Sequence, residues 1–241
     1  MTSAVLEVKG LTSGYGKLAI VQNVDLEVTK GNILALIGPN GSGKSTLIKS
    51  IVGAANVLEG KVYFERKDVT FLRSHEIIRL GISYVPQTQN VFESLSVHDN
   101  LELGAYTVEE KQILEERFEE VYQLFPALRE KRKDKARTLS GGQRQVLAIG
   151  KSLMTRPSLL LLDEPTASVA PVMITQIMDK ICEIQETGVT MILVEQNVKK
   201  ALELADFTAV MVAGRIVFSG ESEKIGDQKE LGELFLGKKA Y

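Results

Sequence analysis

Gly38-Pro39-Asn40-Gly41-Ser42-Gly43-Lys44-Ser45, followed by Thr46, is the stretch from which the rest of the chain can be read. Two glycines bracket four residues and are followed by a lysine and a hydroxyl. Ile33 to Ile37 in front reads as a fully buried strand, and Ser45 to Val52 behind reads as a helix. The glycines let the backbone turn tightly, so that N–H groups converge on one phosphate group. The helix start adds unpaired donors and the positive end of its dipole. Gly38, Asn40, Gly41, Ser42, Gly43 and Thr46 are thus expected to form a phosphate cradle. Lys44 supplies a full positive charge near the β- and γ-phosphates of a nucleotide, and Ser45 offers an oxygen to Mg²⁺. A plain glycine-rich turn is the competing reading, and the strand–loop–helix order argues against it.

The whole chain bounds the answer in other ways. Its 241 residues suit one large domain or a domain with a sizeable insertion. A net charge of −2 gives no sign of a general nucleic-acid binder. The single cysteine, Cys182, excludes an internal disulfide framework, and its isoleucine-rich neighbours predict core filler rather than a reactive thiol. No apolar run approaches a membrane span, and the first residues lack a basic-then-apolar signal segment. A chain soluble by itself is expected, with any membrane role exercised through a partner.

Along the chain, residues 4–30 read as strands around a turn at Ser13 to Lys17, where Tyr15 is either a surface ring or a platform for a base. Gly60 to Glu65 reads as a strand, His75 to Leu80 as a short helix, and Ile82 to Val85 as a buried strand stopped by Pro86. Gln87 is left at that strand's tip, where open α/β sheets place nucleotide-site residues. Val97 to Met154 turns helical, with an amphipathic segment from Glu109 to Phe125 and a solvated link from Glu130 to Arg137.

A second anion device follows. Ser140 can cap a helix that begins at Gly141 and Gly142, ahead of Gln143. Leu159 to Leu162 then make a strand buried on both faces, with Asp163 and Glu164 at its C-terminal end. Paired carboxylates there are costly unless a cation or ligand neutralises them. Asp163 is placed to hold Mg²⁺ through water, and Glu164 to take a proton from an attacking water or orient it. Met173 to Glu186 reads as a helix, Thr190 to Val194 as a strand and Ala201 to Leu204 as helical. A hairpin turned at Ala213-Gly214 and a short helix from Glu230 to Leu236 complete an α/β chain.

Taken together, these residues resemble the ATP-binding subunits of ABC transporters over essentially the full length. The specific mark is Leu139-Ser140-Gly141-Gly142-Gln143, with Ser140 lying 23 residues before Asp163. The resemblance implies a P-loop NTPase core with a mainly parallel sheet, an N-terminal antiparallel β subdomain and an inserted helical subdomain. It divides the chain into a nucleotide-binding core, 1–87 and 156–241, and a helical signature subdomain, 88–155. ATP and Mg²⁺ are the expected ligands. Tyr15 would stack on adenine, Gln87 would touch Mg²⁺ with Ser45 and Asp163, and Glu164 would be catalytic together with Lys44 and Gln196. Ser140, Gly141, Gly142 and Gln143 would meet ATP held by a second subunit, and Ser168-Val169-Ala170-Pro171 would form the inter-subunit loop.

The implied partners are that second ATPase subunit, alike or unlike, integral membrane permease subunits and, indirectly, a solute-binding protein, with no nucleic acid. The implied location is cytoplasmic, peripheral on the inner face of the cell membrane. Leu193-Val194-Glu195-Gln196-Asn197, Ala170-Pro171 and Leu147-Ala148-Ile149-Gly150 resemble the ATPases of branched-chain amino acid importers. One departure is plain: most family members carry His where Gln196 stands, and an amide donates a hydrogen bond without titrating. The alternatives are another solute, an ABC ATPase without a transport role, or a P-loop kinase or non-hydrolysing module. The compact near-neutral cassette argues against the second, and the serine-glycine segment with Lys44 and Glu164 against the third.

Overall fold

The computed structural model describes residues 4–88, 90–167 and 169–225, together with Gly232 and Phe235. A six-stranded sheet in the order β10-β9-β3-β8-β7-β6 forms the centre. Its strands are β3 (Ile33–Ile37), β6 (Ile82–Val85), β7 (Leu159–Asp163), β8 (Thr190–Val194), β9 (Phe207–Val212) and β10 (Arg215–Glu221). All neighbours are parallel except the β9–β10 hairpin. A four-stranded antiparallel sheet, β2-β1-β4-β5, lies on one side. It is made of β1 (Ala4–Tyr15), β2 (Leu18–Thr29), β4 (Asn56–Phe64) and β5 (Lys67–Asp68).

The uninterrupted apolar runs have a direct cause. In β7, Leu160 and Leu162 enter one core while Leu159 and Leu161 enter another; β8 divides Met191 and Leu193 from Ile192 and Val194 in the same way. Period-two alternation therefore buries every residue when both faces are covered. The first core joins the sheet to α3 (Val97–Gly104), α4 (Lys111–Leu124), α5 (Pro126–Glu130), α6 (Gly141–Leu153), α7 (Pro171–Glu186) and α8 (Val198–Leu204). The second joins it to the antiparallel sheet, α1 (Lys44–Ile51) and α2 (Ser74–Arg79).

Three expectations need adjusting. The turn placed at Ser13 to Lys17 shrinks to Gly16-Lys17, because β1 runs on to Tyr15 opposite Leu18. The strand expected at Gly60 begins earlier, at Asn56, since it pairs with the far end of that longer β1. Cys182 is only half-buried: it borders the stripe of Ile177, Met178, Ile181 and Ile184 that α7 presents to the core. The helix expected over 230–236 lies outside the described residues, apart from Gly232 and Phe235, both helical. Ser168 also lies outside them.

Candidate functional site

Parallel pairing decides where the chemistry gathers. Leu36 stands beside Val194, Val194 beside Asp163 and Leu162 beside Val85, so the carboxyl ends of β3, β8, β7 and β6 finish at one edge. Each strand is followed by a segment carrying sequence-predicted site residues. Across this edge lies a cleft of about 470 Å³ lined by Ile20, Asn40, Gly41, Gly43, Lys44, Ser45, Thr46, Gln87, Glu164 and Gln196.

The phosphate loop is shaped by what surrounds it. A Cβ on Gly38 would lie 2.0 Å from the Met211 carbonyl oxygen, so only glycine lets β9 pass this closely. Gly43 is the N-cap of α1 with a left-handed backbone and no side-chain cap, and α1 has no acid in its first turn. The N–H groups at that end are consequently free for an anion. Lys44 is buried and folds back, its ammonium donating to the carbonyls of Gly38 at 2.9 Å and Pro39 at 3.0 Å. Burial pulls its pKa down, while Glu164 and Asp163 pull it up. Ser42 Oγ is buried with no hydrogen-bond partner among the described residues, an orphaned donor that a phosphate oxygen would satisfy.

The carboxylates are arranged differently from one another. Asp163 accepts from Ser45 Oγ at 3.0 Å through Oδ1 and from the Tyr84 hydroxyl at 3.2 Å through Oδ2. Burial pushes its pKa up, and those two donors pull it down. Glu164 follows with φ near 50°, a left-handed conformation uncommon for a residue with a Cβ. Its N–H donates to the Val194 carbonyl at 2.9 Å. One carboxylate oxygen, Oε2, accepts from both Gln87 Nε2 at 2.7 Å and Gln196 Nε2 at 2.5 Å. Two loops from different strands thereby converge on a single acid.

Other expected residues sit apart. Tyr15 ends β1, is 46% exposed and does not line the cleft, where Ile20 takes a place. Ser140 is the N-cap of α6 and Gly141, Gly142 and Gln143 begin its first turn; all four are likewise absent from the lining. Ser140 and Gln143 close a reciprocal cap: Ser140 Oγ accepts from Gln143 N–H at 3.3 Å, and Gln143 Oε1 accepts from Ser140 N–H at 3.0 Å. A Cβ on Gly142 would meet the Met173 side chain at 2.9 Å, so this glycine has a packing reason of its own. A larger groove of about 870 Å³, lined by residues such as Glu120, Leu124, Arg156 and Ile184, contains none of the predicted site residues.

Sequence reasoning missed several contributors. Tyr84 reads as plain strand in the sequence, although its place two residues before Pro86 puts it at a tip. Asn90 donates to Gln145 Oε1 at 2.8 Å, and its carbonyl accepts from Lys151 at 2.5 Å, tying the segment after Gln87 to α6. Nothing local in the sequence announces those long-range bonds. Glu195 could have been found by the argument used for Asp163: it is an acid at the end of a buried strand.

Ser45 and Asp163 oxygens side by side suit a hard cation, which takes oxygen ligands. No group of three His, Cys, Asp or Glu able to hold a metal occurs among the described residues. Such an ion would complete its shell with phosphate oxygens and water. No described helix is long and apolar enough to cross a membrane.

Comparison with known proteins identifies the family. The model of the ABC transporter family matches residues 21–167. The chain is 42% identical to a probable branched-chain amino acid transport ATP-binding protein LivF of Archaeoglobus fulgidus, covering 94% of this chain and 96% of the relative. It is 40% identical to the high-affinity branched-chain amino acid transport ATP-binding protein BraG of Pseudomonas aeruginosa, covering 92% and 95%. The lipopolysaccharide export system ATP-binding protein LptB of Acidithiobacillus ferridurans is 29% identical over 98% of each. Among solved structures, the ADP conformation of MJ1267, an ATP-binding cassette of an ABC transporter, superposes with a TM-score of 0.84 at 30% identity, over 98% of this chain and 96% of that one. Since the family model spans both the phosphate loop and the paired carboxylates, and the relatives match nearly end to end, the chain belongs to the ABC transporter family as an ATP-binding subunit with ATPase activity.

Proposed function

We propose that this chain drives a branched-chain amino acid importer by binding Mg-ATP between two subunits and hydrolysing it at Glu164. The observation that carries the reading is the Glu164 carboxylate, gripped by Gln87 and Gln196 at the mouth of the cleft bounded by the phosphate loop. The α1 N–H groups and Lys44 hold the β- and γ-phosphates, and Tyr15 stacks on the adenine. Ser45, Gln87 and Asp163 would hold Mg²⁺, which would neutralise charge developing on the phosphates. Glu164 accepts or orients the proton of the attacking water, and Gln196 donates to the γ-phosphate side. Each amide gives one N–H to Glu164 and keeps a second N–H and its oxygen, so Gln196 can also donate to a phosphate oxygen and Gln87 Oε1 can face Mg²⁺.

The turn at Ser140 is not part of this cleft's lining, which suits a ligand read from the opposite subunit. ATP then attracts two surfaces, and cleavage leaves products that repel one another. The core comprises 1–87 and 156–241 and the helical subdomain 88–155. The subunit sits in the cytoplasm against permease subunits, with a solute-binding protein acting through them. Branched-chain amino acids are favoured over other solutes because the relatives at 40–42% identity carry that name, whereas the export relative is at 29%.

Light scattering of Glu164→Gln protein with and without Mg-ATP tests the mechanism. A doubling of mass on adding Mg-ATP is expected. ATP binding with no change of mass would remove the sandwich while leaving the nucleotide site standing.

A further inference from the structure

Glu195 is an acid that nucleotide binding leaves without a task. It follows β8 and is only 2% exposed, yet no ion pair among the described residues includes it. Its Oε1 accepts from the Thr166 N–H at 3.2 Å and the Thr166 hydroxyl at 2.7 Å. Its Oε2 accepts from the N–H groups of Gln196 at 3.1 Å and Asn197 at 3.5 Å. Four donors thus serve one carboxylate. Burial pushes its pKa up, and the same donors hold it down.

The bonds to Gln196 and Asn197 are local and would serve any strand end. Those to Thr166 span 29 residues and join different parts of the site. Thr166 lies two residues beyond Glu164, and its carbonyl accepts from Val169 N–H on the way into α7. Gln196 is the residue whose amide meets Glu164 Oε2. One buried anion therefore fastens the turn behind the acid to the turn that presents the acid's partner. A buried charge without a countercharge opposes folding, so its presence calls for a benefit elsewhere.

We infer that Glu195 is a positioning residue for hydrolysis: its carboxylate clamps the turn after Glu164 to the turn carrying Gln196, fixing both groups against the attacking water. This rests on the reading of Glu164 as the hydrolytic acid. Glutamine at 195 would present an NH₂ to one of the two donor pairs, so it cannot hold both turns.

Steady-state ATPase assays on the full chain test the clamp. Glu195→Gln should lower kcat about tenfold while KM for Mg-ATP stays within about twofold. Thr166→Val, which removes only the hydroxyl, should lower kcat about threefold with the same constancy of KM. Because the clamp acts through Gln196, combining Glu195→Gln with Gln196→Ala should cost less than the product of the two single losses. Losses that multiply, or a KM that climbs as melting temperature falls, would overturn the clamp. A kcat within about twofold of the parent in Glu195→Gln would do the same. Should that variant not fold, Thr166→Val at parental kcat overturns it alone. Glu164→Gln run in parallel, keeping ATP binding but losing turnover, upholds the hydrolytic acid whatever Glu195 does, so the two readings fail separately.

Discussion

Gln196 stands where the resemblance to ABC ATPases implies a histidine, and its amide makes a specific contact. Its Nε2 donates one N–H to the Glu164 carboxylate, so it can hold the acid while its second N–H reaches a phosphate oxygen. An amide performs both tasks without titrating. A histidine there would add a group that changes charge near pH ~6.5. The kcat–pH profile should therefore contain no step that Gln196→Ala abolishes. Gln196→Ala should scale the whole profile down by about tenfold and keep its shape. A step lost with the glutamine would refute this account. The residue-level chemistry was readable because the strand-tip carboxylates and the loop lysine lie in short contiguous motifs. Tyr84's place at a strand tip was readable from Pro86, but its partner was not, because the bond to Asp163 spans 79 residues.

At the level of elements, α6 carries two duties. Its first turn is capped by Ser140 and Gln143, and its side is pressed against the start of α7 through Gly142 and Met173. Gly142→Ala places a Cβ within 3.0 Å of three Met173 side-chain atoms. Methionine can move aside, so the expected cost is about 1 kcal/mol, read as a lower urea midpoint with unchanged m-value. No loss, or a changed m-value, would show that α6 and α7 are not packed in this way. The helix start itself was legible from Ser140 and the two glycines that follow it. Its neighbour was not, because sequence periodicity says which face is buried but not against what. The β1 turn was misjudged for a related reason. Gly14 and Gly16 signal a turn, yet pairing of β1 with both β2 and β4 keeps Ser13, Gly14 and Tyr15 in the strand.

Over the whole molecule, the helical layer is joined to the nucleotide edge by the segment after Gln87. Asn90 holds Gln145 and Lys151 of α6, and the Lys151 ammonium lies 5.3 Å over the ring of Phe92, which is 54% exposed. Phe92 thus touches α6 through Lys151. We propose Phe92 as a contact point for the membrane partner of the proposed transporter. Phe92→Asp should leave ATPase activity of the isolated subunit within about twofold and abolish co-purification with permease subunits. Assembly and coupled transport at parental levels in that variant would rule the contact out.

The sequence alone determined the phosphate loop, the paired carboxylates, the serine-glycine turn and the buried strands that lead into them. Each is a local device, built from a few adjacent residues whose backbone freedom, charge or hydrophobicity has meaning by itself. Tertiary structure decided which devices meet. Parallel register brings Leu36, Val194 and Asp163 to one edge, so Gln87 and Gln196 reach the same oxygen of Glu164 and Thr166 reaches Glu195. It also leaves the Ser140 turn out of the cleft. Hydrogen bonds between residues far apart in the chain depend on strand order and register, and those are set by how whole faces pack rather than by any single stretch.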